Sequence, residues 1–297
     1  MFLDPTIDFA FKRVFGNQAY PEITISFLNA LLGSRLQVPV VSIDFLDPFN
    51  QQETKELKYS ILDIRCTDQL KRQFIIEIQV KAQEFFPKRI QYYRAQAIAR
   101  QLKAHVKYDA IMPVILVSIL DFDMLSYPEY LNSYSLQHDV HHTLELSLVS
   151  YVFVELKKFH LALAELATIQ EKWVYFIKHA NELDAIPKEL ATTIEFEEAF
   201  ELLKSGNLSE AELAIYDKAL DSRRVELDAL ATAEAKGIAE GKAEGIAEGK
   251  AEGIAEGKAE GERQAKRQLA KNLLAEKMSV NLVAKLTGLS VEEIKKL

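Results

Sequence analysis

Residues 60–81, SILDIRCTDQLKRQFIIEIQVK, limit what this chain can fold into more than any other stretch. Two apolar, β-branched runs flank the polar segment TDQLKRQ, the pattern of a strand–loop–strand hairpin. Side chains alternate faces along a strand. Asp63 and Arg65 therefore share one face of the first strand, and Leu62, Ile64 and Cys66 share the other. On the second strand Glu77 and Gln79 share a face, opposite Ile76, Ile78 and Val80. In the simplest antiparallel register Asp63 lies close to Glu77. Two readings follow. Antiparallel strands commonly keep one face in water, and the charges then mark exposure alone. Alternatively, carboxylates set among isoleucines are costly to bury unless a cation or hydrogen bonds compensate them. Hard divalent cations such as Mg²⁺ take oxygen ligands, often one or two carboxylates plus phosphate. On this second reading Asp63 and Glu77 form a metal site for phosphodiester chemistry.

Length and composition narrow the class. With 297 residues the chain can bury one sizeable core and carry an appendage. Its longest apolar runs, such as 111–120, fall well short of the ~20 residues a membrane helix needs, so no membrane partner is expected. Asp4 and Asp8 stand where a secretory leader would be basic and then apolar. The lone Cys66 offers no disulfide framework and suits a reducing compartment. It reads as a small core hydrophobe, and the expected location is cytoplasmic. The net charge of −8 argues against a generally basic nucleic-acid binder. The distribution is uneven, however: residues 55–107 hold 12 Lys/Arg against 5 Asp/Glu. A basic segment around an acidic site suits a phosphate-backbone channel; a solvated helix face could also supply much of that excess.

Along the chain, residues 4–16 read as a helix capped by Asp4 with Pro5 at its first position. Asp8 and Lys12, four residues apart, share a face there and form a surface ion pair on the simplest reading. A second helix over 23–32 closes at Gly33. A strand is expected over 38–46, before the hairpin. Residues 87–105 form a strong helix on the spacing of Ile90, Tyr93, Ala97 and Ile98. It carries Arg89, Arg94, Arg100 and Lys103, with Tyr92 and Tyr93 interleaved, a combination suited to backbone phosphates and equally to core packing plus solvation. Residues 112–120 read as a strand buried on both faces, with further strands over 134–137 and 147–155. His138, His141 and His142 lack a second ligand pair at zinc spacing and read as exposed loop histidines. Helices are expected over 159–169, 172–181 and 188–204.

The tail is distinctive. Ser209 and Glu212 form a capping box that starts a long helix, from 210 to about 235. GIAEGKAE then repeats three times over 237–260, and seven of the chain's 11 glycines lie in 237–261. Each glycine inside a helix costs ~0.8–1.0 kcal/mol relative to alanine, and the glutamates recur at like-charge i, i+4 spacing. The repeat reads as a marginal helix or spacer; its Gly/Ala stripe could instead bring two copies together as a homo-oligomer. Residues 280–286 and 291–297 look like two short helices turned at Gly288, with Ser290 and Glu293 capping the second. They resemble a helix-turn-helix fragment, although the acidic and basic pairs of the second helix suit partner docking better than base reading.

Asp63, thirteen intervening residues, then Glu77-Ile78-Gln79 resembles the core of PD-(D/E)XK nucleases. More closely, the chain resembles the Rpn-type recombination-promoting nucleases and putative transposases. The matching stretches are DPTIDFAFKRVFG at 4–16, SFLNALL at 26–32, ILDIRC at 61–66, FIIEIQ at 74–79, RIQYYRAQAIARQL at 89–102, IMPVILVSIL at 111–120 and FVELKKF at 153–159. The resemblance extends through the tail and is most specific over 1–160. It implies an α/β fold with a mixed sheet flanked by helices, followed by a helical tail. The implied division is a nuclease-like domain over 1–180, a helical extension over 181–236, a spacer over 237–261 and C-terminal helices over 262–297. The implied activity is metal-dependent hydrolysis of DNA phosphodiester bonds that promotes recombination or mobile-element behaviour. Mg²⁺, or Mn²⁺ in its place, would be held by Asp63, Glu77 and the backbone carbonyl of Ile78. Asp8 is a further carboxylate candidate, and Lys12, Arg65 or Arg89 would neutralise charge. Gln79 stands where the superfamily name calls for lysine. It can orient a water but cannot carry a proton as an amine does. That departure keeps an alternative open: a catalytically weak DNA-binding or assembly protein that retains the nuclease fold.

Overall fold

A computed structural model describes residues 1–46, 64–102, 107–143 and 148–297. The chain divides into two compact units, Met1–Ser222 and Arg223–Leu297.

The first unit opens with α1 (Asp8–Phe15) and α2 (Pro21–Leu32). Helix α1 starts later than its sequence suggests. The Asp4 carboxylate accepts from the Thr6 backbone N–H at 2.8 Å and the Thr6 hydroxyl at 2.6 Å, closing a tight turn instead of capping the helix. Helix α2 ends as expected at Gly33, whose φ of 45° lies in the region a side chain disfavours. Strand β1 (Ile43–Phe45) is shorter than the expected strand over 38–46. Side-chain amides take the backbone groups just before it. Asn29 brackets Val40, donating to its carbonyl at 2.8 Å and accepting from its N–H at 2.9 Å, and Gln69 does the same for Pro39 and Val41.

The hairpin follows as β2 (Ile64–Asp68) and β3 (Gln73–Gln79), antiparallel with Ile64 opposite Ile76. Its turn is tighter than TDQLKRQ implied, because Asp68 and Arg72 brace it. The buried Asp68 carboxylate accepts from the backbone N–H of Leu70 and Arg72 and pairs with the Arg72 guanidinium at 2.5 Å. Helix α3 (Phe86–Ala99) carries the chain to β4 (Val114–Leu120), every residue of which is buried. Strand β5 (Leu131–Ser135) begins earlier than expected, and β6 (Val149–Glu155) completes a six-stranded sheet in the order β1-β2-β3-β4-β6-β5. Strands β3, β4 and β6 run parallel in the centre, flanked by antiparallel neighbours. This is the mixed, helix-flanked sheet the sequence implied.

The two faces of the sheet bury different sets of side chains. Phe74, Ile76, Ile78, Val117, Ile119, Val152 and Val154 meet an aromatic-rich layer from α1, α2, α4 (Ile169–His179) and α5 (Ile194–Leu203). Trp173 sits there, stacked on Phe196 at 4.1 Å and edge-on to Phe15 at 5.6 Å. On the opposite face Ile75, Leu116 and Phe153 pack beneath Phe86, Ile90 and Tyr93 of α3. The α-helix expected over 159–169 is absent from these described residues. A 3₁₀ turn at Leu163–Glu165 leads instead to α4, capped by Thr168 with Glu171. The compact unit also extends beyond residue 180, the expected boundary. Phe196, Phe200, Leu203 and Tyr216 are core residues, and the Leu3 N–H bonds to the Leu203 carbonyl at 2.8 Å. Cys66 is buried in this core, where burial and then the Asp68 charge push its thiol up to about 12.

Helix α6 (Glu210–Ala275) starts at the expected Ser209–Glu212 box and is helical throughout the glycine repeat. Alanine, glutamate and lysine are good helix formers and outnumber the two glycines of each eight-residue repeat. Lys236 and Glu240 form an i, i+4 pair at its edge, at 3.6 Å. The repeat is exposed along its length, and a Cβ placed on any of its glycines meets nothing within 4 Å. In the second unit α7 (Val280–Thr287) turns at Gly288, φ 71°, into α8 (Val291–Lys295). Val283, Leu289 and Ile294 close a small core with Ala270, Leu273 and Leu274. Arg263 bonds Glu293 at 2.8 Å and, with the Ser290 N–H and hydroxyl, holds that carboxyl down to about 2.

Two outcomes are expected. Asp68→Ala strips the buried Arg72 charge of its partner and should cost about 3–5 kcal/mol by urea denaturation. Deleting residues 237–261 should move the melting temperature of the Met1–Ser222 unit by less than ~2 °C, below what 1 kcal/mol produces in a unit of that size.

Candidate functional site

At the carboxyl end of β3 the α3-facing side chains change character. Gln73 and Ile75 are followed by Glu77 and Gln79, two residues apart each time and hence on one face. Ile75 belongs to the apolar layer under α3, so Glu77 is drawn into the same layer and is only 7% exposed. In the register of the parallel strands it lies beside Ser118, itself buried.

Arg89, in the first turns of α3, answers the carboxylate. Its Nη2 donates to Glu77 Oε1 at 2.8 Å and to Gln79 Oε1 at 2.5 Å, while Nη1 donates to Gln83 Oε1 at 2.5 Å. The guanidinium lies over the rings of Phe86 at 5.1 Å and Tyr93 at 5.8 Å, three residues before it and four after, as one helical face requires. Two polar atoms of this cluster are buried without a hydrogen-bond partner: Glu77 Oε2 and Arg89 Nε. A buried, unsatisfied carboxylate oxygen is uncommon and has the hard-oxygen chemistry that a divalent cation takes. Glu77 thus offers one oxygen of the kind such an ion takes.

The structure thus brings together Glu77, Gln79, Arg89 and Tyr93 of the expected site. Asp63 lies outside the described residues. Asp8 and Lys12 pair with each other on α1 at 2.9 Å. Arg65 stands opposite Ile75 and is half-buried; burial, then the nearby Arg100 charge, lowers its pKa. Arg94 is also half-buried, its guanidinium 5.9 Å from the ring of Tyr151. The α3 arginines are thus divided between this polar cluster, the sheet face and solvent. Among the described residues no three His, Cys, Asp or Glu side chains form a metal-holding group. His138 turns its ring nitrogen onto the N–H groups of Val140 and His141 within its own loop.

Two features escaped the sequence reading. Gln83 clamps Arg89 from the segment before α3, and nothing in local periodicity marks it. Glu155, fully buried at the end of β6 and level with Gln79 and Leu120, accepts from the N–H groups of Met124 and Leu125 and pairs with Lys158 at 2.9 Å. An acid ending an apolar strand with a lysine three residues on is the signal that could have found it.

Burial raises the Glu77 carboxyl above its ordinary value; the Arg89 charge and hydrogen bond oppose that rise without cancelling it. The folded chain therefore holds this proton to a higher pH than the unfolded chain does. The associated stability is complete below the unfolded value of about 4.3 and is lost as pH rises through the folded one. Compared with Glu77→Gln by urea denaturation from about pH 4 to 8, the wild type should lose relative stability as pH rises. A flat difference, or one of opposite slope, would contradict this assignment.

Residues 5–233 match the PD-(D/E)XK nuclease family transposase profile. Residues 263–297 match the C-terminal HTH domain of the Rpn/YhgA-like nuclease family. No curated protein and no solved structure matches the chain. None of the described helices is long and apolar enough to cross a membrane. With most of its length covered by the first of these profiles, and with the mixed sheet and a buried Glu-x-Gln strand end in place, the chain belongs to the PD-(D/E)XK nuclease family of transposase type.

Proposed function

We propose that this protein is a divalent-metal-dependent DNA endonuclease whose strand cleavage serves recombination or mobile-element activity in the cytoplasm. The observation that carries the reading is the unpartnered Oε2 of the buried Glu77, in a chain of nuclease family. Asp63 precedes Ile64, and Ile64 pairs with Ile76, which precedes Glu77; this adjacency supports Asp63 as the second carboxylate. The Gln79 carbonyl is taken by the Asp121 N–H at 3.0 Å. Strand alternation then directs the Ile78 carbonyl to the β2 side, which supports it as a third oxygen. Asp63, Glu77 and the Ile78 carbonyl would hold Mg²⁺ or Mn²⁺. The bound ion would polarise the scissile phosphate and lower the pKa of an attacking water. Gln79, its side-chain oxygen bonded to Arg89 and its Nε2 donating to the Lys81 carbonyl at 3.0 Å, orients polar groups without exchanging protons. The HTH-matching C-terminal helices supply a second DNA-directed element, and the exposed Gly/Ala repeat supports self-association of the tail.

A second reading, a weakly catalytic DNA-binding or assembly protein, is favoured by Gln79 where the superfamily name calls for lysine. Nicking of supercoiled plasmid separates the two. Wild type should nick with Mg²⁺ or Mn²⁺ and not without a divalent ion. Asp63→Ala and Glu77→Ala should each lower the rate by at least about 100-fold, the equivalent of several kcal/mol of lost charge stabilisation. Plasmid binding with no metal-dependent nicking by wild type would favour the second reading.

A further inference from the structure

We propose that Arg89 is the cation of this site, supplying from α3 the charge that position 79 of the strand lacks, with Gln79 and Gln83 as the clamp that aims it. The inference rests on the nuclease reading above. Gln79 carries no charge, yet its Oε1 accepts the shortest bond Arg89 makes to the strand, 2.5 Å against 2.8 Å for Glu77. Position 79 holds the cation instead of providing it. Gln83 fixes the other arm of the fork at 2.5 Å, and the faces of Phe86 and Tyr93 confine the guanidinium plane. A planar group gripped on both terminal nitrogens and flanked by two rings is preorganised, which a flexible lysine on the same helix would not be.

The donors are not exhausted. Guanidinium presents five N–H groups. The bonds to Glu77, Gln79 and Gln83 use three of the four N–H groups on the terminal nitrogens, and the buried Nε–H has no partner. An anionic oxygen reaching the cluster would meet a charge-assisted donor already in place. Arginine does not release its proton in proteins, so Arg89 stabilises charge and takes no part in proton transfer. It is a positioning residue toward Glu77 and an electrostatic one toward phosphate.

These two roles have opposite signs, which makes them separable from a structural role. A cation beside a metal-binding carboxylate repels the metal and attracts phosphate. The experiment compares wild type, R89Q, R89K and the Q79K/R89Q double variant. Mn²⁺ binding is read by calorimetry without DNA, and binding of a short fluorescein-labelled duplex by anisotropy in Ca²⁺. R89Q should bind Mn²⁺ about three- to tenfold more tightly and the duplex about three- to tenfold more weakly, the scale of one nearby charge partly screened by solvent. R89K should fall between R89Q and wild type. Q79K/R89Q, with its cation returned to the strand, should move both affinities back toward wild type. Weakening of both affinities in R89Q would mean that Arg89 only holds Glu77 in shape, and would overturn the proposal; so would unchanged duplex binding. If R89Q melts early, Q79L carries the test, because it keeps Glu77, Arg89 and Gln83 and removes only the strand half of the clamp. Duplex binding should then weaken without loss of Mn²⁺ affinity, and unchanged duplex binding overturns the proposal. Plasmid nicking is a separate arm. Wild type that binds Mn²⁺ and duplex without nicking overturns the nuclease reading while the opposite-sign test of Arg89 stands. Wild type that binds no Mn²⁺ overturns both.

Discussion

The structure turns on a single strand that is buried on both sides. β3 gives one face wholly to the aromatic core, through Phe74, Ile76 and Ile78. The other begins apolar with Ile75 and ends polar with Glu77 and Gln79. A strand in that position has no solvent into which a carboxylate can turn. Glu77 must therefore be neutralised, coordinated or hydrogen-bonded where it stands. Everything placed over it, from the Arg89 fork to the rings beside that fork, answers this requirement. The cost of holding a charge in an apolar layer is what makes the site chemically distinct from the rest of the sheet.

Neighbouring elements hold the strand in register. The Asp68–Arg72 brace fixes the hairpin turn, and a slip of one residue would exchange the two faces of β3. At the opposite end of the central strands, Glu155 and Lys158 tie down residues 124–127 beside the strand termini. These two buried ion pairs act differently from Glu77–Arg89. Each of their carboxylate oxygens is used, whereas Glu77 keeps one oxygen unpartnered.

Features with a local signature were legible in the sequence. The period-two pattern of 60–81 placed Glu77 and Gln79 on one face, and the unbroken apolar run gave β4. Gly288 and the Ser290–Glu293 box gave the terminal turn and cap. Features decided by tertiary partners were not legible. Val40 could not show that Asn29 would take its backbone groups and shorten β1. Asp4 resembled a helix cap until Thr6 claimed it. The glycine repeat was weighed by its penalties, whereas its alanines, glutamates and lysines sustain the helix. Arg89 lay among several basic residues of similar standing, and only the fold distinguishes it. The clamp depends on Gln79 and Gln83 converging from a strand and from the segment before a helix, a geometry that no sequence spacing encodes.

The backbone bond between Leu3 and Leu203 sets an order of assembly. Leu3 leaves the ribosome before Leu203 does, because its partner is made some two hundred residues later. At roughly 5–20 residues per second, that interval is on the order of 10–40 s. Throughout it, Phe2 lacks Phe200 and Phe15 lacks Trp173 for most of the time, although each pair is in ring contact in the finished unit. The nascent chain therefore carries an incomplete aromatic layer until α5 emerges. Exposed rings on an unfinished sheet are the surface that chaperones bind and that other unfinished chains adhere to. The vulnerability of this protein during its synthesis is written into the distance between the two ends of its core.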